Sequence, residues 1–319
     1  MPAYGFDSYL TVEFPSQINV DVTEFCNLAC VHCPYEQVTR IKGAKRVHLD
    51  EALHAKLIGE IAAEGGGRCN YLRYTGDGEP LLHPRLSALL ADAAARSGIQ
   101  VALTTNGLLL DEERTNALLD AGVSVFDVSL DAHTPETYAQ VRVHGTLSLA
   151  IANVRGLIAA NAKRGRPARI MVSFVVQLLN RHEAEAFDAF WKSEGVDFVV
   201  LRRQHSCAGE MSAVATAMRA AAPSPRTPCL YPWERLVLKP DGSVVFCPAD
   251  WHHEGAVGHL ASETIRDIWT GPKMQALRRA HLGNDFSSHH LCGQCPDWQA
   301  IHWPWQGRSY ASVMREFAD

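Results

Sequence analysis

Between residues 17 and 202 the chain alternates two textures. Short runs rich in β-branched and apolar residues at 18–23, 71–75, 99–105, 123–131, 169–177 and 196–202 predict strands. The stretches between them carry apolar residues at three- and four-residue intervals. In "LDEALHAKLIGEIAAEG" Leu49, Leu53, Leu57 and Ile61 share a stripe with Ala52 beside them, and helical periodicity also fits 84–97, 111–120, 146–163 and 181–194. Strands alternating with helices of this length imply βαβ units and a parallel sheet. Six such units with right-handed crossovers predict an α/β fold, a partial (β/α)6 TIM-like barrel over residues 17–202. Residues 1–16 read as an N-terminal extension.

A parallel strand buried on both faces should be continuously apolar. These strands instead place polar residues at alternate positions: Asn19, Asp21 and Thr23; Arg73 and Thr75; Asp127, Ser129 and Asp131; Ser173 and Gln177. A period of two puts each set on one face. The expectation is a polar, ionisable cavity toward the carboxyl ends of the strands, where α/β sheets place ligands. Asp21, Arg73 and Asp127 are its candidate substrate-binding residues.

After residue 202 the texture changes. Residues 203–228 end in Pro-rich sequence and read as a linker or lid. "LVLKPDGSVVFC" is a hairpin signal around Asp241-Gly242. "SETIRDIWTGPKMQALRRAHL" follows as helix, with Ser262 as candidate cap and Ile265, Ile268 and Trp269 as its apolar stripe. Residues 229–319 therefore predict a small hairpin-helix module with a C-terminal tail.

The net charge of -5 argues against a nucleic-acid partner. No apolar run is long enough to span a bilayer, and the N-terminal residues lack the texture of a secretory signal. The cytoplasm is thus the expected compartment, and there clustered cysteines read as metal or redox groups rather than disulfides. Of nine cysteines, three lie at Cys26, Cys30 and Cys33, four at Cys229, Cys247, Cys292 and Cys295, and Cys69 and Cys207 stand apart. A closed structural zinc site uses four ligands. The triplet supplies three, although a zinc or incidental Cys-rich loop also fits its spacing taken alone.

Cys26-x3-Cys30-x2-Cys33, placed directly after the first strand, resembles the signature of the radical S-adenosylmethionine superfamily. The resemblance implies that the three thiolates hold three irons of a [4Fe–4S] cluster, and that S-adenosylmethionine chelates the fourth. "TGDGEP" (75–80) resembles the family's Gly-Gly-Glu motif, with Asp77 a departure from it. By that match Gly76, Gly78 and Glu79 contact the methionine ammonium, for which a carboxylate is the sensible partner. The resemblance further implies S-adenosylmethionine contacts from Asn106 in "LTTNG", from Ser129, Asp131 and Arg142 in "SLDAHTPETYAQVR", and from Tyr35 near the adenine. Asn106-Gly107 taken alone reads equally as a plain turn. Reductive cleavage of the sulfonium would then give a 5'-deoxyadenosyl radical that abstracts hydrogen from a C–H bond, with an electron donor such as flavodoxin or ferredoxin as partner.

Four more thiolates in a small module could bind zinc. Beside the first set, they resemble the shortened SPASM domain called twitch, which implies a second, auxiliary [4Fe–4S] cluster fully ligated by protein. The combination resembles the aminocyclitol dehydrogenases of the superfamily. It implies an oxidoreductase whose substrate, a polar small molecule of sugar or aminocyclitol type, loses an electron to the auxiliary cluster. Arg202, Arg203 and His205, at the end of the sixth strand, are candidates for acid–base work. Cys207 beside them is the candidate hydrogen-atom donor if the enzyme is instead an epimerase, or an inert packed thiol. A peptide-modifying maturase is a further alternative.

Overall fold

The structure is a computed structural model that describes residues 4–7, 10–42, 46–306 and 314. Strands β1 (Gln17–Val20), β2 (Tyr71–Tyr74), β3 (Gln100–Thr105), β4 (Val125–Ser129), β5 (Arg169–Val176) and β6 (Phe198–Arg203) lie side by side in chain order, all parallel. Helices α1 (Glu51–Glu64), α2 (Leu86–Ser97), α3 (Glu112–Asp120), α4 (Leu147–Lys163) and α5 (Ala184–Ser193) form the crossovers. β6 does not return to β1, so the barrel is open.

The period of two separates two interiors. Ile18, Val20, Leu72, Tyr74, Phe126, Val128, Val172 and Phe174 pack outward against Leu57, Ile61, Leu90, Val154 and Phe187 of the helices. The opposite face grades along the strands. Tyr71, Ala102, Val125 and Met171 enclose Met314 at its amino-terminal end. Two residues further along each strand, Arg73 and Asp127 line a cavity with Asn19, Thr75 and Ser129.

α1 is capped by Asp50, whose carboxylate accepts from the Ala52 N–H at 2.8 Å. Its buried face is His54, Leu57, Ile58 and Ile61, which keeps Leu57 and Ile61 of the expected stripe. Leu49 precedes the helix, Ala52 is exposed, and buried His54 bonds the Tyr74 hydroxyl at 2.7 Å.

The C-terminal module continues the barrel sheet. α6 (Ser212–Ala220) lies within the stretch expected as linker. It is followed by β7 (Arg235–Leu238), β8 (Ser243–Val245) and β9 (Ala256–His259). β7 pairs parallel with β1, Gln17 facing Arg235, and β8 runs antiparallel to β7 and β9. One nine-stranded sheet results, in the order β9-β8-β7-β1-β2-β3-β4-β5-β6. The hairpin turns at Asp241-Gly242, where Gly242 takes φ +90° and the Asp241 carboxylate accepts from the Ser243 N–H at 2.9 Å. α7 (Ile265–Thr270) and α8 (Pro272–Gly283) then cover the sheet. Thr264, not Ser262, caps α7, its hydroxyl accepting from the Asp267 N–H at 3.0 Å, while Ile265, Ile268 and Trp269 are buried. Of the C-terminal tail, residues 307–313 and 315–319 lie outside the described residues.

Candidate active site

Cys26, Cys30 and Cys33 lie on the loop that leaves the carboxyl end of β1. Residues Ala29–Cys30 make a short antiparallel ladder with Arg142–Val143, and the Cys33 N–H donates to the Cys30 carbonyl at 3.0 Å. The Tyr35 hydroxyl accepts from the Cys26 N–H at 3.0 Å and from Arg46 Nη1 at 2.8 Å, and donates to the Glu24 carbonyl at 3.0 Å. Tyr35 therefore anchors the loop by its polar end. Burial pushes the Cys26 thiol up to about 11 and raises Cys30 and Cys33 as well. Thiolates at such positions need a bound cationic centre, and metal binding supplies it while releasing the protons.

The 75–80 loop packs directly on this element. A side chain at Gly76 would meet Asp21 Cγ at 2.0 Å, and one at Gly78 would meet the Thr23 and Phe25 carbonyls at 2.3 and 2.4 Å. Glycine is required at both. Buried Glu79 accepts from the Thr105 hydroxyl at 2.6 Å, the Asn106 N–H at 2.8 Å and the Leu81 N–H at 3.1 Å. Burial raises its pKa, which the hydrogen bonds counter. Asn106 also reaches the cysteine loop, its Nδ2 donating to Asn27 Oδ1 at 2.8 Å. Asp131 accepts from Arg142 Nε at 2.7 Å and from the Val175 N–H at 2.6 Å, with His32 Nε2 at 3.4 Å. The Arg142 guanidinium is thus committed to Asp131 within the protein.

Asp77, the departure from the family motif, has a partner of its own. Its carboxylate takes the Lys239 ammonium at 2.7 Å, and Asp21 lies 3.5 Å from the same nitrogen. The Asp77 N–H donates to Asp21 Oδ2 at 3.0 Å. Burial, followed by the charge of Asp77, raises Asp21 to about 7, and Lys239 opposes that rise. Asp21 was expected to bind substrate. It is instead absent from the cavity wall, because Gly76 seats on its carboxylate and Lys239 occupies it.

A cavity of about 740 Å³ opens over the carboxyl ends of the strands. On its floor Asp127, fully buried, accepts from Arg73 Nη2 at 3.0 Å, from Arg202 Nη2 at 2.7 Å and from the Ser173 hydroxyl. Arg73 Nε also donates to the Thr104 hydroxyl at 3.0 Å. Ser129, Arg203 and His205 line the wall, and burial lowers the His205 pKa, favouring a neutral imidazole. Cys207, expected beside them as a candidate hydrogen-atom donor, does not line this cavity. The Asp297 carboxylate takes the Ser206 and Ala208 N–H groups at 2.6 and 2.8 Å, which turns Cys207 away at φ 54° with its Sγ 3.8 Å from the His32 carbonyl.

Cys207 lines a second cavity instead, about 230 Å³ in volume, together with Cys229, Cys247, Cys292 and Cys295. Burial raises all four module thiols, Cys229 to about 11 and Cys295 to about 12. Among the described residues no three ligating side chains converge as they would on one metal ion. Four thiols around one chamber are a ligand set that could hold either a zinc ion or a sulfur-ligated iron cluster.

Several residues here went unpredicted. Arg235, Val237 and Lys239 line the large cavity from β7 and its end, obeying the same alternation that marked the barrel strands. Trp251 lines both cavities and packs with Tyr35 and Val38 against the first cysteine loop. Arg226 and His281 face the second cavity, and no local pattern marks them.

Three thiols at the mouth of an open barrel, with four around a chamber beside it, define an iron–sulfur enzyme with a principal and an auxiliary centre. The chain belongs to the Radical SAM superfamily, whose model matches residues 20–188, more than half of its length. Residues 229–296 match SPASM, an iron-sulfur cluster-binding domain. S-adenosylmethionine and a [4Fe–4S] cluster come with the first match and an auxiliary iron–sulfur cluster with the second. Curated relatives include the GTP 3',8-cyclase of Chlorobaculum tepidum, 37% identical over 39% of this chain and 35% of the relative. That of Aeromonas hydrophila is 27% identical over 56% and 51%. The chain thus spans about a third to a half of the length of these relatives. Among solved structures, BtrN in complex with AdoMet and 2-DOIA superposes with a TM-score of 0.57 at 18% identity, over 88% of this chain and 92% of that one. Streptococcus suis SuiB bound to S-adenosylmethionine gives 0.65 at 11%, over 95% and 75%. These likenesses show a shared fold. Among the described residues no helix is long and apolar enough to cross a membrane.

Two measurements check this site. Anaerobic reconstitution of the wild type should yield about eight irons per chain, falling to about four when Cys26, Cys30 and Cys33 are all replaced by alanine. Lys239→Met should lower the unfolding free energy in urea by about 3–5 kcal/mol by stranding two buried carboxylates, with part of the loss returning in Lys239→Met/Asp77→Asn.

Proposed function

We propose that the protein is a radical S-adenosylmethionine oxidoreductase that dehydrogenates a polar small molecule of sugar or aminocyclitol type. The observation that carries this reading is a shared wall. His205, Tyr231, Pro248, Trp251 and Ile301 border both the large polar cavity and the chamber of the four cysteines. A substrate in the first cavity is thus one layer of side chains from the second. When bound, the two centres supply hydrogen-atom abstraction on one side and a one-electron acceptor on the other. Removal of one hydrogen atom, one proton and one electron converts a secondary alcohol to a ketone.

The chain's own residues supply position and the proton acceptor. Arg73 and Arg202 are fixed on Asp127 and present donors to substrate oxygens from a preset geometry. Neutral His205, on the shared wall, takes the hydroxyl proton. Glu79 and the glycines beside it hold the methionine end of S-adenosylmethionine, and Ser129, Asp131, Arg142, Asn106 and Tyr35 frame the remainder. BtrN, named with AdoMet and 2-DOIA, is a structural likeness compatible with this reading. The name GTP 3',8-cyclase belongs to relatives matched over part of their length. Epimerisation is disfavoured because Cys207, the candidate hydrogen donor, lies outside the substrate cavity, between the second chamber and the first cysteine loop. A reductant such as flavodoxin or ferredoxin starts the cycle.

Anaerobic turnover in deuterated buffer, with a panel of aminocyclitols and sugars, tests the reading. The expected product carries a new carbonyl at the carbon that lost hydrogen; a redox-neutral isomer that has gained solvent deuterium at that carbon overturns it. Asp127→Asn should reduce kcat/KM about 100-fold, or about 2.7 kcal/mol, by removing the carboxylate charge that orients both arginines, with S-adenosylmethionine affinity little changed on calorimetry.

A further inference from the structure

The chamber of the four cysteines holds two polar groups that ligation by thiols leaves unused. His281 sits in the last turn of α8 and is 3% exposed. Its ring is held edge-on against Phe286 at 4.9 Å and Trp233 at 6.2 Å. Nδ1 accepts the Cys229 N–H at 3.3 Å, so it carries no hydrogen. The hydrogen of a neutral imidazole must then lie on Nε2. That N–H is buried without a partner. A protonated Nε2 has no lone pair for a metal, which makes the ring a donor to the chamber rather than a ligand.

Arg226 is the second group. Its guanidinium is clamped 4.1 Å from the Phe286 ring and 5.6 Å from that of Trp298. Nη1 donates to the Cys292 carbonyl at 2.9 Å, while Nε is buried without a partner. Both residues line the chamber beside Cys229, Cys247, Cys292 and Cys295. Buried donors left unmatched are costly, and an iron–sulfur centre in this chamber offers sulfur acceptors. Hydrogen bonds and positive charge near cluster sulfurs favour the reduced, more negative state.

We propose that His281 and Arg226 tune the auxiliary cluster as an electron acceptor, donating to its sulfurs and raising its reduction potential. This rests on the two-cluster oxidoreductase reading and adds the device that directs the electron. Both are positioning and tuning residues that need not touch substrate.

The test uses the full chain carrying Cys26, Cys30 and Cys33 all replaced by alanine, anaerobically reconstituted so that only the auxiliary cluster remains, with its potential followed by EPR. His281→Phe and Arg226→Gln should each shift the reduction equilibrium about tenfold toward the oxidised form, which is 59 mV for one electron. Arg226→Lys and His281→Gln keep a charge or a donor and should stay closer to the parent. If His281→Phe does not retain iron, Arg226→Gln decides the matter. Full iron content with an unmoved potential in Arg226→Gln overturns the inference alone. No iron in the triple-alanine parent overturns the two-cluster reading beneath it.

Discussion

The ammonium of Lys239, enclosed between Asp77 and Asp21, joins three parts of the chain that share no local sequence. Asp21 follows β1, Asp77 belongs to the loop expected to hold S-adenosylmethionine, and Lys239 follows β7 of the C-terminal hairpin. Desolvating all three charges is expensive, and the arrangement persists because the geometry pairs them and Asp21 also takes the Asp77 N–H. The strand pairing of β7 with β1 brings Lys239 to this place. A shift of β7 by one residue would turn Arg235, Val237 and Lys239 to the other face and break the pair. The junction therefore fixes the register of the second cysteine module against the first.

The same junction explains the departure in "TGDGEP". A second consecutive glycine would leave Lys239 with a single carboxylate deep in the protein. Asp77 completes the charge balance, while the glycines on either side keep the close approach to Asp21 and to the cysteine loop that a Cβ would prevent. The motif is thus altered at the one position whose side chain points at the hairpin, and kept at the positions where backbone meets backbone. That division is what a loop serving both a cofactor and a domain contact requires.

Much of this was legible in the chain. Each barrel strand begins and ends within a few residues of its apolar run, because the alternation that marks a half-polar strand also marks which face lines the cavity. Asn19, Arg73, Asp127 and Ser129 fell on that face by period alone. What was not legible depends on contacts distant in sequence. Nothing within "RLVL" says that β7 will lie along β1, so the module read as separate and Lys239 as a hairpin residue. Asp21 obeyed the alternation yet was claimed by that unseen lysine. α6 was hidden because the prolines at 223, 225 and 228 dominated the reading of its neighbourhood, although "AVATAMRAAA" is strongly helix-forming. Ser262 and Thr264 both have capping side chains, and only the path of the preceding turn chose between them.

Cys207 shows how a single carboxylate can change the meaning of a thiol. By position it follows β6, next to Arg202 and His205 on the cavity wall. Asp297 then takes the N–H groups on either side of it and holds Cys207 and Ala208 in the left-handed region, at φ 54° and 58°. Such a conformation is unfavourable for residues with a Cβ and persists only where surrounding structure over-determines it. Its effect is to swing the thiol out of the substrate cavity and into the seam where Trp251, Tyr35 and Val38 pack against Cys26 and Cys33. Packed there, the thiol leaves the substrate cavity without a hydrogen-atom donor from this position. On the proposed reading this serves oxidation, since a substrate that has lost one hydrogen meets an electron acceptor across the shared wall and no thiol to restore what it lost.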